Sequence, residues 1–140
     1  MTPTCQVCSN PRHTLATLCT RCKKIRDRID TRARRRGSRV DKAARTRALR
    51  KAWDPDAEAF RCHYSGVLLD ADHRSPWHVT FDHRTPRTES DVVLCAALIN
   101  DMKSDLTEAE FRKVIAQLSE RLAGVRSSIE RIVPKYWHRG

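Results

Sequence analysis

Asp82-His83-Arg84-Thr85-Pro86, then Asp91, then Asn100-Asp101-Met102-Lys103 is the stretch on which the reading of this chain turns. A histidine beside a carboxylate, followed by an amide side chain on an expected helix, supplies a base and two hard oxygen donors. Asp82 and Asn100 suit Mg²⁺ or Mn²⁺ rather than a thiophilic metal. His83, with an unperturbed pKa of about 6.5, can take a proton from water near neutral pH. Arg84 and Lys103 stand where they would add positive charge. Such a set is sufficient to activate water against a phosphodiester, because phosphoryl transfer needs chiefly positioning and charge stabilisation. Nothing else in the 140 residues offers a comparable reactive centre.

The flanking sequence predicts how these residues meet. Phe60-Arg61-Cys62-His63-Tyr64, the turn signal Ser65-Gly66, and Val67-Leu68-Leu69 read as β-structure. A polar loop, Asp72 to Pro76, follows, and Trp77-His78-Val79-Thr80-Phe81 then leads into Asp82-His83. Beyond Pro86 a polar loop reaches Asp91, which suits a helix N-cap. Val93, Ala96, Ala97 and Asn100 then repeat at three- and four-residue spacing, which predicts a helix over 92–103. Thr107-Glu108-Ala109-Glu110 is a capping-box pattern. It opens a helix whose Phe111, Val114, Ile115, Leu118 and Leu122 share one face, with Gly124 at its end. Residues 125–139 are expected to add a further turn or two of helix, broken at Pro134, with Tyr136-Trp137 packing back.

At the N-terminus, Cys5-x2-Cys8 and Cys19-x2-Cys22 carry four of the six cysteines. Paired Cys-x-x-Cys knuckles present four thiolates to one structural Zn²⁺, and a reducing cytoplasm makes disulfides or a redox pair the poorer explanation. His13 is a spare donor that a complete four-cysteine site does not need, so a solvated loop histidine is its better reading. Cys62 and Cys95 are expected to be buried core thiols rather than ligands. His78 either faces the site or lies on the solvated side of its strand; His73 and His138 are given no role.

The net charge of +11 is local. Residues 21–51 hold 15 of the 28 Lys and Arg against Asp27, Asp30 and Asp41. This predicts two basic helices, or one kinked at Gly37-Ser38, that bind a polyanion. Arg32, Arg34, Arg35, Arg36, Arg39, Arg45, Arg47, Arg50, Lys51 and, from the loop, Arg84 are the expected DNA contacts, binding phosphates without reading bases. An anionic membrane surface is a distant second partner, because the segment lacks large apolar residues to insert. No stretch approaches the roughly 20 apolar residues of a membrane span, and no secretory leader is evident, so the expected location is the cytoplasm.

The 60–111 stretch resembles the HNH, or ββα-metal, nuclease family. Asp82-His83-Arg84-Thr85-Pro86 is similar to the family's Asp-His-x-x-Pro. Asn100-Asp101-Met102-Lys103-Ser104-Asp105-Leu106-Thr107 is similar to its Asn-x-x-Lys-x-x-Leu-Thr continuation, and Cys62-His63-Tyr64-Ser65-Gly66 to its Cys-x-Tyr-Thr-Gly opening. The resemblance implies Asp82 and Asn100 as metal ligands, His83 as general base and Lys103 as a phosphate or transition-state contact. The products would be a 5′-phosphate and a 3′-hydroxyl. The family's middle asparagine, which braces the loop that orients the histidine, is here Asp91, an acceptor only when ionised. Many members also carry a second pair of Cys-x-x-Cys knuckles around the core; the single Cys62 and Cys95 imply that this zinc site is lost here.

The expected protein is therefore α+β. A four-cysteine zinc knuckle or ribbon (1–22) precedes a basic helical DNA-binding linker (23–56), a ββα-metal core (57–106) and a C-terminal helical cover (107–140). One catalytic Mg²⁺ or Mn²⁺ and one structural Zn²⁺ are its expected ions, double-stranded DNA its partner, and monomer or homodimer its state. A non-catalytic DNA-binding module on the same scaffold is the competing class, and an RNA-directed role a third. Phage-borne, mobile-element and defence settings all fit.

Overall fold

The computed structural model describes residues 2–12, 17–124, Val133 and Trp137. His13, His138 and the helical turns expected over 125–139, with Pro134 and Tyr136, fall outside them. The chain runs α1 (Thr20–Arg35), α2 (Lys42–Ala52), β1 (Trp53–Asp54), β2 (Ala59–Phe60), β3 (Val79–His83), β4 (Val92–Ala96), α3 (Ala97–Lys103) and α4 (Glu108–Arg121).

The basic segment is two helices, and the break falls at Gly37, whose φ of +82° is a left-handed conformation that a β-carbon disfavours. Asp41 caps α2, its carboxylate accepting from Ala44 N at 3.0 Å. Ala44, Ala48 and Leu49 form the buried stripe of α2, which lies against β4. Asp54 closes the turn after β1 by accepting from Asp56 N and Ala57 N.

Between β2 and β3 regular strand is sparser than the alternation predicts. Arg61 and Leu68 form an isolated bridge around the Cys62–Val67 turn, where Gly66 has a φ of +72°. The antiparallel pair β3–β4 is the centre of the molecule, in the register Val79↔Ala96, Phe81↔Leu94, His83↔Val92. Every residue of β4 is buried. α1 packs on β3, and α3 folds back across both strands.

Residues 92–96 correct the sequence reading. They form a strand, and helix begins only at Ala97, so Asp91 caps nothing; the N-cap of α3 is Ala96, without a side-chain cap. A short run buried on both faces carries no period that separates strand from helix. In α4 the capping box forms as expected, Thr107 accepting from Glu110 N while Glu110 accepts from Thr107 N. The apolar face is only partly used, however. Phe111 is buried against Tyr64, with ring centroids 5.5 Å apart, whereas Val114, Ile115, Leu118 and Leu122 are exposed.

Candidate nuclease site and zinc centre

The four N-terminal cysteines converge. Cys5, Cys8, Cys19 and Cys22 present sulfurs that all lie within 4.8 Å of one another, with Cys8 and Cys19 Sγ 3.6 Å apart. Ser9, at a φ of +59°, turns the first knuckle; Cys19 is the N-cap of α1 and Cys22 lies in its first turn. Burial opposes ionisation of Cys5, but hydrogen bonds from the backbone of Cys19, Cys8 and Val7 outweigh it and bring the thiol down to about 6. Burial pushes Cys22 up, and its sulfur neighbours Cys8 and Cys19 add to that. A closed set of four sulfurs at this separation fits a tetrahedral ion such as Zn²⁺. No group of three or more His, Cys, Asp or Glu elsewhere among the described residues is so arranged. Cys62 and Cys95 are buried core thiols, as expected.

The second centre lies where β3 ends. Asp82, His83 and Asn100 line one cleft of about 510 Å³, with Arg39 and Glu89 on its rim. His83 and Asn100 also line a second space of about 200 Å³ together with Arg28 and Arg32 of α1 and Arg36 at its C-cap, at four-residue spacing. Asn100 Nδ2 donates to Thr80 Oγ1 and to Phe81 O, both at 3.3 Å. Those bonds engage its nitrogen, and its Oδ1 is the atom that a cation would take.

Asp82 is buried and held from two sides. Tyr64 Oη donates to its Oδ2 at 2.6 Å, and Lys103 Nζ lies 3.3 Å from Oδ2 and 3.4 Å from Oδ1. Burial raises the Tyr64 hydroxyl pKa and the Asp82 charge adds to it, so the phenol stays a donor. Lys103 also donates to His83 O at 2.9 Å. At 1% exposure its ammonium is inside the fold, which corrects its expected role as a phosphate contact: it neutralises Asp82 and ties α3 to the end of β3.

His83 Nε2 is 2.9 Å from Glu89 Oε1, a partner that the motif does not predict. Glu89 in turn accepts from Arg45 Nη2 at 2.8 Å, and Arg45 Nη1 donates to Asp30 at 3.1 Å. Burial opposes ionisation of Glu89, yet the hydrogen bonds from Arg45 and His83 outweigh it and hold the carboxyl below its ordinary range. Arg45 is therefore no DNA contact. It is 2% exposed, its guanidinium stacked 4.7 Å over Phe81, and this corrects the expectation drawn from its place in a basic run. Asp91 pairs with Arg84 at 3.4 Å, and its carbonyl accepts from Arg84 N at 3.0 Å; the loop is closed there, but the carboxylate on His83 is that of Glu89.

Arg84 is also paired with Glu108, which Arg112 and His63 share. The other arginines and the lysine expected to meet DNA are exposed. Arg32, Arg36 and Arg39 line the His83 clefts, whereas Arg47 and Lys51 line a separate groove of about 500 Å³ between α2 and β4, which Arg84 also reaches. Arg34, Arg35 and Arg50 are exposed outside both, Arg50 donating to Gln6 O. His78 is buried, not solvated, its Nδ1 2.8 Å from Ser75 O.

Neither a family model nor a curated protein matches the chain. Among solved structures it is similar to the rare-cutting HNH restriction endonuclease PacI, at 16% sequence identity and a TM-score of 0.49, over 89% of this chain and 97% of that one. Among the described residues no helix is long and apolar enough to cross a membrane.

Proposed function

We propose that this chain is a metal-dependent endonuclease of the ββα-metal class that hydrolyses the phosphodiester backbone of double-stranded DNA in the cytoplasm. The observation that carries the reading is the cleft that Asp82, His83 and Asn100 share, next to a second space that His83 and Asn100 line together with Arg28, Arg32 and Arg36. Asp82 and Asn100 would hold the Mg²⁺ or Mn²⁺; both contribute hard oxygens and both line that cleft. The ion, when bound, supplies positive charge against the phosphate oxygens.

His83 is partly exposed at the end of β3. With Nε2 directed at Glu89, its Nδ1 accepts no hydrogen bond among the described residues and is the nitrogen able to take the proton from water. In-line attack by that water at phosphorus then releases the 3′ oxygen, giving a 5′-phosphate and a 3′-hydroxyl. Arg32, Arg36 and Arg39 bind the flanking phosphates and hold the strand, at a cost in affinity as salt rises. The four-cysteine centre, with Zn²⁺, fixes the start of α1 and takes no part in chemistry.

The grip of Tyr64 and Lys103 on Asp82 favours a second reading, a DNA-binding scaffold that no longer cuts. Supercoiled plasmid incubated with Mg²⁺ separates the two. Nicking that is lost in His83→Ala, with duplex binding intact by gel shift, supports the enzyme. Equal binding and no cleavage from either protein assigns the scaffold.

A further inference from the structure

The loop after β3 puts a carboxylate on the candidate base that no motif assigns. Glu89 Oε1 meets His83 Nε2 at 2.9 Å. The same carboxylate is fixed from behind by Arg45 Nη2 at 2.8 Å on Oε1, and by Arg45 Nε and Asp41 N, each at 3.4 Å, on Oε2. Arg45 cannot swing away, because Asp30 holds its Nη1 and both residues are almost wholly buried between α1, α2 and Phe81. One polar chain thus runs Asp30–Arg45–Glu89–His83 through α1, α2, the loop and the end of β3. A carboxylate acceptor on one imidazole nitrogen fixes which nitrogen carries the proton and how the ring is turned.

Building on the nuclease reading, we propose that Glu89 is the positioning residue of the site: it holds His83 as the Nε2–H tautomer and leaves the Nδ1 lone pair facing the cleft, with Arg45 and Asp30 fixing Glu89 in place. The proton balance is simple. Nδ1 receives the proton of the attacking water, the imidazolium that forms is faced by the Glu89 carboxylate, the departing 3′ oxygen takes a proton from solvent, and the imidazolium gives its proton back to solvent after product release. In this role Glu89 acts through His83.

The test reads the tautomer directly and needs no cleavage. Nitrogen-15 shifts of the His83 imidazole in the full chain, followed over a pH series without added Mg²⁺, are expected to show Nε2 protonated and Nδ1 free in the neutral ring. In Glu89→Ala that pattern should give way to a mixture or to the Nδ1–H form. Glu89→Gln, which keeps an oxygen for Nε2–H, should retain it. In plasmid nicking, Glu89→Ala should lose about 10²-fold in kcat with KM and duplex affinity unchanged, and Glu89→Gln should lose less. An Nδ1–H tautomer in the wild-type chain overturns the proposal whether or not the variants fold, as does a tautomer that Glu89→Ala leaves unaltered. If the tautomer responds as expected but the wild-type chain never nicks DNA, the positioning role stands and the hydrolytic reading falls. If nicking depends on His83 but the tautomer ignores Glu89, the reverse holds.

Discussion

Lys103 and Asp82 place opposite charges side by side inside the fold, with Lys103 Nζ also bonded to the backbone of His83. Removing one partner of a buried pair strands the other charge, so Lys103→Met should destabilise the fold by about 3–5 kcal/mol. Urea unfolding measures this, and Lys103→Met/Asp82→Asn should recover part of the loss because the stranded carboxylate is gone. A Lys103 variant of unchanged midpoint would show that the ammonium is dispensable to folding. At this scale residue types are legible and their surroundings are not. Asp82, His83 and Asn100 stand out because their types and spacing carry the pattern, and they do share a cleft. Lys103 stands out for the same reason, but spacing says nothing of its burial. Glu89 leaves almost no trace in the sequence, since its contact depends on the path of a loop and on a residue 44 positions away. Arg45 leaves a faint one: it sits beside Ala44 and one helical turn from Leu49, on the stripe that packs inward.

Among the elements, the start of α4 carries a pH signature. Burial of Glu108 works against ionisation, but hydrogen bonds from Arg84, Arg112 and His63 outweigh it and take the carboxyl from 4.5 to about 2. A carboxyl depressed in the folded state adds stability that is complete above its unfolded value and is lost as pH falls through the folded one. The unfolding midpoints of wild type and Glu108→Gln should therefore differ most above about pH 5 and draw together towards pH 2. A gap that stays constant over that window would mean that the ion pairs contribute nothing to folding. Helices with caps or breaks are legible in the sequence, and short buried strands are not. Thr107 and Gly37 mark ends that the structure keeps, because each acts on its own backbone. Val92–Ala96 has no such mark and takes its conformation from pairing with β3, across the intervening loop.

For the molecule as a whole, the clustering of charge is plain from composition, but which arginines face the cleft is not. One run of basic residues divides into a face towards His83, a face towards the groove under α2, and one arginine turned inside. Duplex affinity should fall linearly on a log–log plot against salt. Arg36→Ala should reduce the steepness of that line by about one while leaving thermal unfolding unchanged. Arg45→Ala should do the opposite, lowering the unfolding temperature without a specific change in slope. Equal slopes for Arg36→Ala and wild type would remove α1 from the interface.

All six cysteines are buried, four in the N-terminal cluster that could hold a metal ion and two, Cys62 and Cys95, in the core. Alkylating reagents should thus read integrity in two stages. The intact, metal-loaded protein resists labelling, a chelator releases four reactive positions, and only denaturant yields the last two. A mass spectrum of adducts then tells an operator whether a preparation has lost its ion or its whole fold before any activity is measured.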